Sequence, residues 1–180
     1  MSHKVLVVLS PGFEEVEAVT VIDILRRAGI AVVTSSLTSE LEVMGSHHIS
    51  VRADCLLSAA DVSEMTALAL PGGMRGVENM LSSDALMSLV PRFSDRVVAA
   101  VCAAPLVLDA CGMLEGHRFT AHPCVHGRLR ATGLDPVPAV LDGNIVTGRS
   151  AGCAMDWSLA LVRCLLGELP EGLASGLCRP

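Results

Sequence analysis

The chain is poor in aromatic residues: it contains no tyrosine, one tryptophan and three phenylalanines among 180 residues. Proteins that bind single-stranded nucleic acid stack bases on aromatic side chains, and this chain offers few of them. Basic residues are also not in excess, because the formal net charge is −6. The chain therefore has no excess of positive charge that would attract the phosphate backbone of a nucleic acid. Together these shortages argue against nucleic acid as a partner.

Long apolar runs and closely spaced cysteines are missing too. No run approaches the roughly 20 residues of a membrane-spanning helix, so we expect no membrane partner. Strand-like sequence begins at Lys4 without a signal-peptide cleavage pattern. The seven cysteines are dispersed and include no Cys-x-x-Cys pair, which argues against a disulfide framework or a structural zinc site. A reducing, cytoplasmic location fits this pattern best.

Half of the chain is apolar (51%), which is enough for a sizeable core. No linker, internal repeat or low-complexity segment interrupts it. We therefore expect residues 1–180 to form a single domain.

Strand-like and helix-like segments alternate along the chain. Strands are predicted over 4–9, 30–35, 67–70, 97–101 and 118–121, and helices over 14–28, 77–81, 85–93 and 154–166. Hairpins are predicted over 42–51 and 137–147, with a helical connection over 56–62 and a short tail after 167. Strands joined by crossover helices pair in parallel. The pattern predicts a flavodoxin-like three-layer α/β sandwich, with helices on both faces of a mostly parallel sheet.

Cys102 stands between the apolar strand over 97–101 and a helix that Pro105 begins. Proline suits the first turn of a helix, and Gly112 is suited to end it. This order of strand, turn and helix is typical of a nucleophile elbow, here with sulfur as the nucleophile. Free N–H groups and partial positive charge at the helix end favour a thiolate. The alternative is a structural cysteine, because cysteine is among the residues most often buried.

Other candidate residues follow the predicted strands, where α/β proteins bind ligands. Glu17 lies among apolar neighbours, so it is either a buried acid with a raised pKa or a residue on the helix's solvent-facing stripe. Gly72 and Gly73 offer backbone N–H groups for an oxyanion site, or form only a turn. His122 is a candidate general base, although a single histidine is more often structural.

The remaining charged residues have simpler interpretations. Glu14 and Glu15 are interpreted as solvated charges in a first helical turn, where the helix dipole favours acids. His47 and His48 are adjacent, so on a strand they point to opposite faces, and no third ligand stands at metal spacing. We therefore expect no metal. Arg149 either binds an anion or a partner's carboxylate, or lies in solvent.

Four segments occur in an order that resembles the ThiJ/PfpI superfamily. They are 11–19 (Pro-Gly-Phe-Glu-Glu-Val-Glu-Ala-Val), 70–73 (Leu-Pro-Gly-Gly), 100–105 (Ala-Val-Cys-Ala-Ala-Pro) and 120–123 (Thr-Ala-His-Pro). The chain looks most like the branch that contains the parkinsonism-associated deglycase and the bacterial YajL chaperone. The resemblance extends from Lys4 to about Gly167.

The resemblance implies that Cys102 is the reactive cysteine and that Glu17 is a protonated acid hydrogen-bonded to it. It implies an oxyanion site lined by the N–H groups of Gly73 and Ala103, with His122 nearby. It also implies strained backbone at the cysteine, a homodimer, and no metal or organic cofactor.

Two positions depart from the superfamily's patterns. Ala103 stands where the protease-like and heat-shock branches have a histidine directly after the cysteine, so peptide hydrolysis is not expected. His47 stands where close relatives have an arginine before the second strand of the small hairpin. Contacts built on that arginine do not carry over to this chain.

The elbow and the resemblance together predict a cysteine-dependent enzyme of the glyoxalase III or deglycase type. Its substrates are expected to be methylglyoxal, glyoxal or their thiol and amine adducts, including those on proteins, with Cys102 as nucleophile and Glu17 and His122 as proton carriers. The alternative is an oxidative-stress sensor or redox-linked chaperone that uses the same cysteine. A glutaminase needs a late histidine and acid, and thiazole-phosphate chemistry needs a phosphate loop; neither stands out in the sequence.

Overall fold

The computed structural model describes residues 3–178 and shows nine strands in that part of the chain. They are β1 (Lys4–Leu9), β2 (Ala31–Ser36), β3 (Glu42–Met44), β4 (Ser50–Arg52), β5 (Cys55–Leu56), β6 (Ala67–Leu70), β7 (Val97–Val101), β8 (Ala139–Asp142) and β9 (Ile145–Gly148). The α-helices are α1 (Glu15–Arg27), α2 (Met74–Leu81), α3 (Asp84–Leu89), α4 (Pro105–Ala110), α5 (Ala154–Leu166) and α6 (Leu173–Gly176). No helix within the described range is both long enough and apolar enough to cross a membrane.

Seven of the strands form one sheet in the order β5-β2-β1-β6-β7-β9-β8. Neighbours pair in parallel except β8 and β9, which form an antiparallel hairpin at one edge. Strands β3 and β4 pair only with each other, as the small hairpin predicted from the sequence. The flavodoxin-like sandwich is confirmed.

Strand β1 is buried on both faces because helices cover the sheet from both sides. Val5, Val7 and Leu9 pack in a core with residues of α1 and α5. Leu6 and Val8 pack in a second core with residues of α2, α3 and α4. Successive side chains of a strand point to opposite faces, so a central strand needs a continuous apolar run. The sequence of β1 meets that requirement.

Trp157, on α5, packs against strand β9 and is fully buried. Its Nε1–H donates to the carbonyl of Val146 at 3.2 Å. A Cβ atom on Gly148 would lie only 2.6 Å from the Cβ of Trp157, so the helix approaches the strand closely because this position is glycine. The carboxyl end of β9 is thereby held against α5.

The predicted strand over 118–121 is wrong. Only an isolated bridge joins Phe119 to Leu134. The N–H of Thr120 donates to the side-chain Oγ1 of Thr147 at 2.8 Å. Because the Thr147 side chain takes the place of a carbonyl on a neighbouring strand, the N–H of Thr120 has an acceptor although no strand pairs with this segment.

Smaller differences lie at three connections. The helix predicted over 56–62 begins instead as the edge strand β5, which pairs with β2, and continues as 3₁₀ turns. Helix α2 begins at Met74 rather than 77, directly after Gly73. The tail contains the one-turn helix α6.

Candidate active site

Cys102 directly follows β7, at the edge of the sheet where the parallel strands end. Its N–H donates to the carbonyl of Gly148 at 2.9 Å, and its carbonyl accepts from the N–H of His122 at 2.8 Å. Its φ of +63° lies in the left-handed region, which costs a non-glycine residue on the order of 1–3 kcal/mol. Pro105 starts helix α4 three residues later. The strand, turn and helix of the predicted elbow are therefore present, with a strained cysteine at the turn.

Glu17 lies in the first turn of α1 and has no exposed surface. Its Oε2 accepts the N–H of Gly72 at 2.7 Å. Its Oε1 is buried without a hydrogen-bond partner among the described residues. Burial raises the pKa of Glu17 to about 7, although the Gly72 N–H and the Cys102 thiol oppose the rise. Of the two sequence interpretations, the structure shows the buried acid.

Gly72 is the point at which Glu17 and Cys102 converge. A Cβ atom on Gly72 would lie 2.6 Å from Oε2 of Glu17 and 2.7 Å from Cβ of Cys102. Real Cβ atoms do not approach other atoms so closely, so only glycine leaves room for both side chains. Gly73 is required for a different reason: its φ is +87°, and a Cβ there would collide with the carbonyl oxygen of Gly12.

The protonation of Cys102 differs from the sequence-based expectation. Burial and the Glu17 carboxylate raise the pKa of Cys102 to about 12, and hydrogen bonds from the N–H groups of Gly73 and Ala103 lower it only in part. The expectation that the helix end alone favours a thiolate is therefore wrong. Burial and a neighbouring negative charge outweigh the backbone donors.

Cys102 and Glu17 consequently titrate as a pair. Ionising both would bury two negative charges in contact, so one proton stays in the pair at neutral pH. When the thiol holds it, Glu17 is a carboxylate base beside the nucleophile. When Glu17 holds it, the N–H groups of Gly73 and Ala103 favour a thiolate. The pair can therefore remove a proton from the sulfur without a histidine.

His122 adjoins the elbow through its backbone, but its ring contacts a different cysteine. Its Nδ1 lies 2.9 Å from Sγ of Cys124 and accepts the N–H of Cys124 at 3.2 Å. Among the described residues the ring makes no hydrogen bond to Cys102. Cys124 is absent from the candidates that the sequence suggested, although its position two residues after His122 is a usable signal.

Glu15 is buried like Glu17, so its interpretation as a solvated charge is wrong. Its carboxylate accepts the backbone N–H of His47 at 2.6 Å and lies 3.0 Å from Nδ1 of His47. Burial alone raises the pKa of Glu15, but hydrogen bonds from its own N–H, from His47 and from Ser46 outweigh it and lower the pKa to about 2. The same contact with Glu15 raises the pKa of His47. This ion pair fastens the β3–β4 hairpin to the start of α1.

His47 and His48 occupy the turn between β3 and β4 rather than a strand. Glu14, Glu15 and His47 bring three potential metal-ligand atoms within 4.8 Å of one another. The oxygens of Glu15 already accept hydrogen bonds from His47 and from the Ser46 hydroxyl. An ion pair accounts for the group better than a metal site does.

Two other polar groups have structural roles. Arg149 donates from Nη1 to the carbonyl of Pro136 at 2.9 Å, so it braces the loop before β8.

A groove of about 440 Å³ is lined by residues that include Asp109 and Arg130 and do not include Cys102 or Glu17. Asp109 accepts the backbone N–H of Arg130 at 3.1 Å and is satisfied by its surroundings.

The DJ-1/PfpI family model matches residues 3–164. Protein DJ-1 homolog B of Arabidopsis thaliana is 35% identical over 168 residues, which are 92% of this chain but 38% of that protein, so the chain spans well under half of that relative. A deglycase of Pyrococcus abyssi is 30% identical over 165 residues, which are 90% of this chain and 99% of that protein. The solved structure of Toxoplasma gondii DJ-1, oxidized, matches with a TM-score of 0.93 at 33% identity and 99% coverage of both chains.

The match to the solved structure agrees with the parallel sheet described above. The family match covers every segment that carries the resemblance, from the first strand to α5. The chain belongs to the DJ-1/PfpI family.

Proposed function

We propose that this protein is a cysteine-dependent, cofactor-independent enzyme of the glyoxalase III or deglycase type. Its substrates are α-oxoaldehydes such as methylglyoxal and glyoxal, free or as thiol and amine adducts, including adducts on proteins. The observation that carries the proposal is the contact of the fully buried Glu17 with Cys102, which places a proton acceptor beside a nucleophile. The relative from Pyrococcus abyssi, which is named a deglycase, supports the same chemistry.

The reaction starts with bond formation at Cys102. The sulfur attacks the aldehyde carbon and passes its proton to the Glu17 carboxylate. The electron pair of the carbonyl bond moves to oxygen, which takes the proton back from Glu17, so that a neutral hemithioacetal forms and Glu17 is a carboxylate again. The N–H groups of Gly73 and Ala103, which surround the sulfur, are the donors available to the developing alkoxide.

Glu17 then moves a proton between adjacent carbons. For methylglyoxal, the carboxylate removes the proton from the hemithioacetal carbon, an enediol forms, and the neighbouring carbon is protonated. The product is a lactate thioester on Cys102, which water hydrolyses to lactate and free thiol. Methylglyoxal and water thus give lactate, with no external oxidant or reductant consumed.

Lactate production from methylglyoxal, measured without glutathione, tests the proposal. We expect turnover in the wild type and none in Cys102→Ser, with unchanged thermal unfolding. Cys111→Ser is the matched control, because Cys111 is also partly buried and lies at the end of α4. Turnover in Cys102→Ser would contradict the assignment of the nucleophile, and no turnover in any variant would contradict the proposed reaction.

We also propose that the protein is a homodimer, joined through a surface formed by Val16, Val19, Met44 and Ile49. In residues 3–178 these are four of the seven large apolar side chains that are exposed. They lie on α1 and on the hairpin that Glu15 and His47 fasten to it. Apolar side chains exposed together are typical of a protein interface.

Sedimentation velocity tests this surface. We expect a dimer for the wild type and a monomer for Ile49→Asp. Leu166→Asp is the control, because Leu166 is exposed on α5, outside the proposed surface. A monomeric wild type, or dissociation of both variants alike, contradicts the proposal.

A second candidate function is redox sensing, or a redox-linked chaperone activity, through Cys102. Attack of the sulfur on a hydroperoxide gives a sulfenic acid and an alcohol or water, and a second peroxide gives a sulfinic acid. A protonated Glu17 can donate a hydrogen bond to the sulfinate, and the Toxoplasma gondii relative was solved in an oxidized form. A sensor must start reduced, so we propose a reducing compartment such as the cytoplasm. Titration with peroxide, followed by measurement of the intact protein mass, distinguishes redox sensing from the proposed enzyme activity. Redox sensing requires that two oxygen atoms add to Cys102 before any other cysteine is oxidised.

A further inference from the structure

Beside the elbow stands a second cysteine–histidine contact, between Cys124 and His122. The Sγ of Cys124 lies 2.9 Å from Nδ1 of His122. Cys124 is exposed, and His122 is partly buried. The chain has no histidine directly after Cys102, yet the fold brings a histidine to a different thiol.

The hydrogen bonds around His122 define the state of its ring. The backbone N–H of Cys124 donates to Nδ1 at 3.2 Å, so this nitrogen carries a lone pair and the ring proton lies on Nε2. The thiol of Cys124 therefore also faces an acceptor, and it shares the single lone pair of Nδ1 with that N–H. A thiol that donates to the lone pair of an imidazole is arranged as a nucleophile with its base.

The segment that carries the pair is held at both ends. The N–H of His122 donates to the carbonyl of Cys102 at 2.8 Å, and the N–H of Val125 donates to the carbonyl of His122 at 3.0 Å. Val125 is fully buried, and His122 caps the 3₁₀ helix Pro123–Arg128. The pair is thus fixed to the elbow by its backbone, while Cys124 remains exposed.

We propose that Cys124, with His122 as its base, is a second nucleophilic thiol that captures α-oxoaldehydes at the surface. The sulfur bonds to the aldehyde carbon as the thiol proton passes to Nδ1. The electron pair of the carbonyl bond moves to oxygen, which takes the proton from Nδ1 and leaves a neutral hemithioacetal. Nothing is oxidised or reduced. The pair does not involve Glu17 or the Cys102 thiol, and only the choice of α-oxoaldehydes as its electrophiles rests on the proposed function.

Cys178 is the natural comparison within the same molecule. It is exposed like Cys124, and in residues 3–178 no histidine contacts its sulfur. The two thiols therefore differ in the presence of a base. A difference in their reactivity measures what His122 contributes.

The experiment uses iodoacetamide, with peptide mass spectrometry to follow each cysteine in a Cys102→Ser background. The sulfur displaces iodide, and the thiol proton leaves through the imidazole. We expect Cys124 to be alkylated at least about tenfold faster than Cys178 at neutral pH. His122→Asn, added to that background, should bring the ratio close to one. The asparagine oxygen can still accept the N–H of Cys124 and keep the cap, but it cannot take the thiol proton.

Methylglyoxal identifies the class of electrophile. In excess, it should slow the alkylation of Cys124 more than that of Cys178. Equal alkylation rates at the two cysteines, or a ratio that survives His122→Asn in a variant with normal thermal unfolding, overturn the inference. Fast alkylation without protection by methylglyoxal overturns its assignment to α-oxoaldehydes. Because Cys102 is absent throughout, none of these outcomes depends on turnover at the elbow.

Discussion

Two glutamates in the first turn of α1 both have little exposed surface and yet have pKa values shifted in opposite directions. Glu15 is 5% exposed and Glu17 is not exposed, but their pKa values are about 2 and about 7. Burial opposes the charge of both. Hydrogen bonds from its own N–H, from His47 and from Ser46 lower the pKa of Glu15, whereas only the Gly72 N–H and the Cys102 thiol oppose the effect of burial on Glu17. Glu17 lies deeper in the protein and receives fewer hydrogen bonds, and both differences favour its protonated form.

The two acids consequently serve different purposes. Glu15 stays charged and anchors the β3–β4 hairpin, so its contribution is to stability. Glu17 can hold or release a proton near neutral pH, which suits the proton transfer proposed at Cys102. Replacing each carboxylate by the neutral amide of glutamine, one position at a time, separates the contribution to stability from the contribution to chemistry.

Glu17→Gln should reduce methylglyoxal turnover by about 100-fold or more, because an amide cannot take the thiol proton. Glutamine can still accept the N–H of Gly72, so the fold should be kept. The initial rate of lactate formation measures the effect. Glu15→Gln is the control, and its rate should stay within a few-fold of the wild type. Near-normal turnover in Glu17→Gln would show that Glu17 is not the proton acceptor.

The pH dependence of stability should reveal both acids in the wild type. The pKa of Glu15 is lowered from 4.5 to about 2, so its stabilisation is complete above pH 4.5 and is lost as pH falls through 2, by up to about 3 kcal/mol. The pKa of Glu17 is raised from 4.5 to about 7, so the folded state holds an extra proton in that window and stability falls as pH rises through it.

Urea unfolding across this range should therefore give a maximum of stability near pH 4.5 from these two groups. In Glu17→Gln the fall toward neutral pH should shrink, while the loss in acid should remain. A wild-type curve that still rises between pH 4.5 and 7 and is unchanged by Glu17→Gln would contradict the raised pKa of Glu17.

Glu15→Gln should lower the free energy of unfolding by about 1–3 kcal/mol, since the amide loses the charge that His47 and its N–H groups stabilise. Urea unfolding at neutral pH measures this loss. Glu17→Gln serves as the reverse control, because a neutral amide replaces an acid that burial already penalises, and its loss should be smaller. Equal losses in the two variants would remove the distinction between the acids.

The subtlest difference is between two neutral replacements of Glu17. Both Glu17→Gln and Glu17→Leu remove the carboxylate charge, which raises the pKa of Cys102 in the wild type. Only glutamine can still donate an N–H to the sulfur, so the pKa of Cys102 should be lower in Glu17→Gln than in Glu17→Leu. Thiolate absorbance in the ultraviolet measures it, and identical titrations would exclude a donor effect at this position.

The central strands could be predicted with their bounds because a strand buried on both faces reads as a continuous apolar run. The strands over 4–9, 67–70 and 97–101 match the structure residue for residue. The elbow could also be predicted, because strand, cysteine and Pro105 are neighbours in the chain. Local sequence was sufficient where an element's own residues carry the signal, even though the strands pair with distant parts of the chain.

The states of the two glutamates could not be predicted, since their partners lie far along the chain. Gly72 is 55 residues from Glu17, and His47 is 32 residues from Glu15. For this reason both interpretations of Glu17 stayed open, and the interpretation of Glu15 as a solvated charge was wrong. The strand expected over 118–121 failed similarly, because the partner of Thr120 is a side chain on β9.

The shortage of aromatic residues gives the protein a built-in optical probe. With no tyrosine and a single tryptophan, its intrinsic fluorescence comes almost entirely from the indole of Trp157. That indole packs on Gly148, whose carbonyl accepts the N–H of Cys102. Emission from a buried indole shifts to longer wavelength when water reaches it, so one signal reports unfolding. A change of intensity without that shift would report an event at Cys102, and no label would have to be attached.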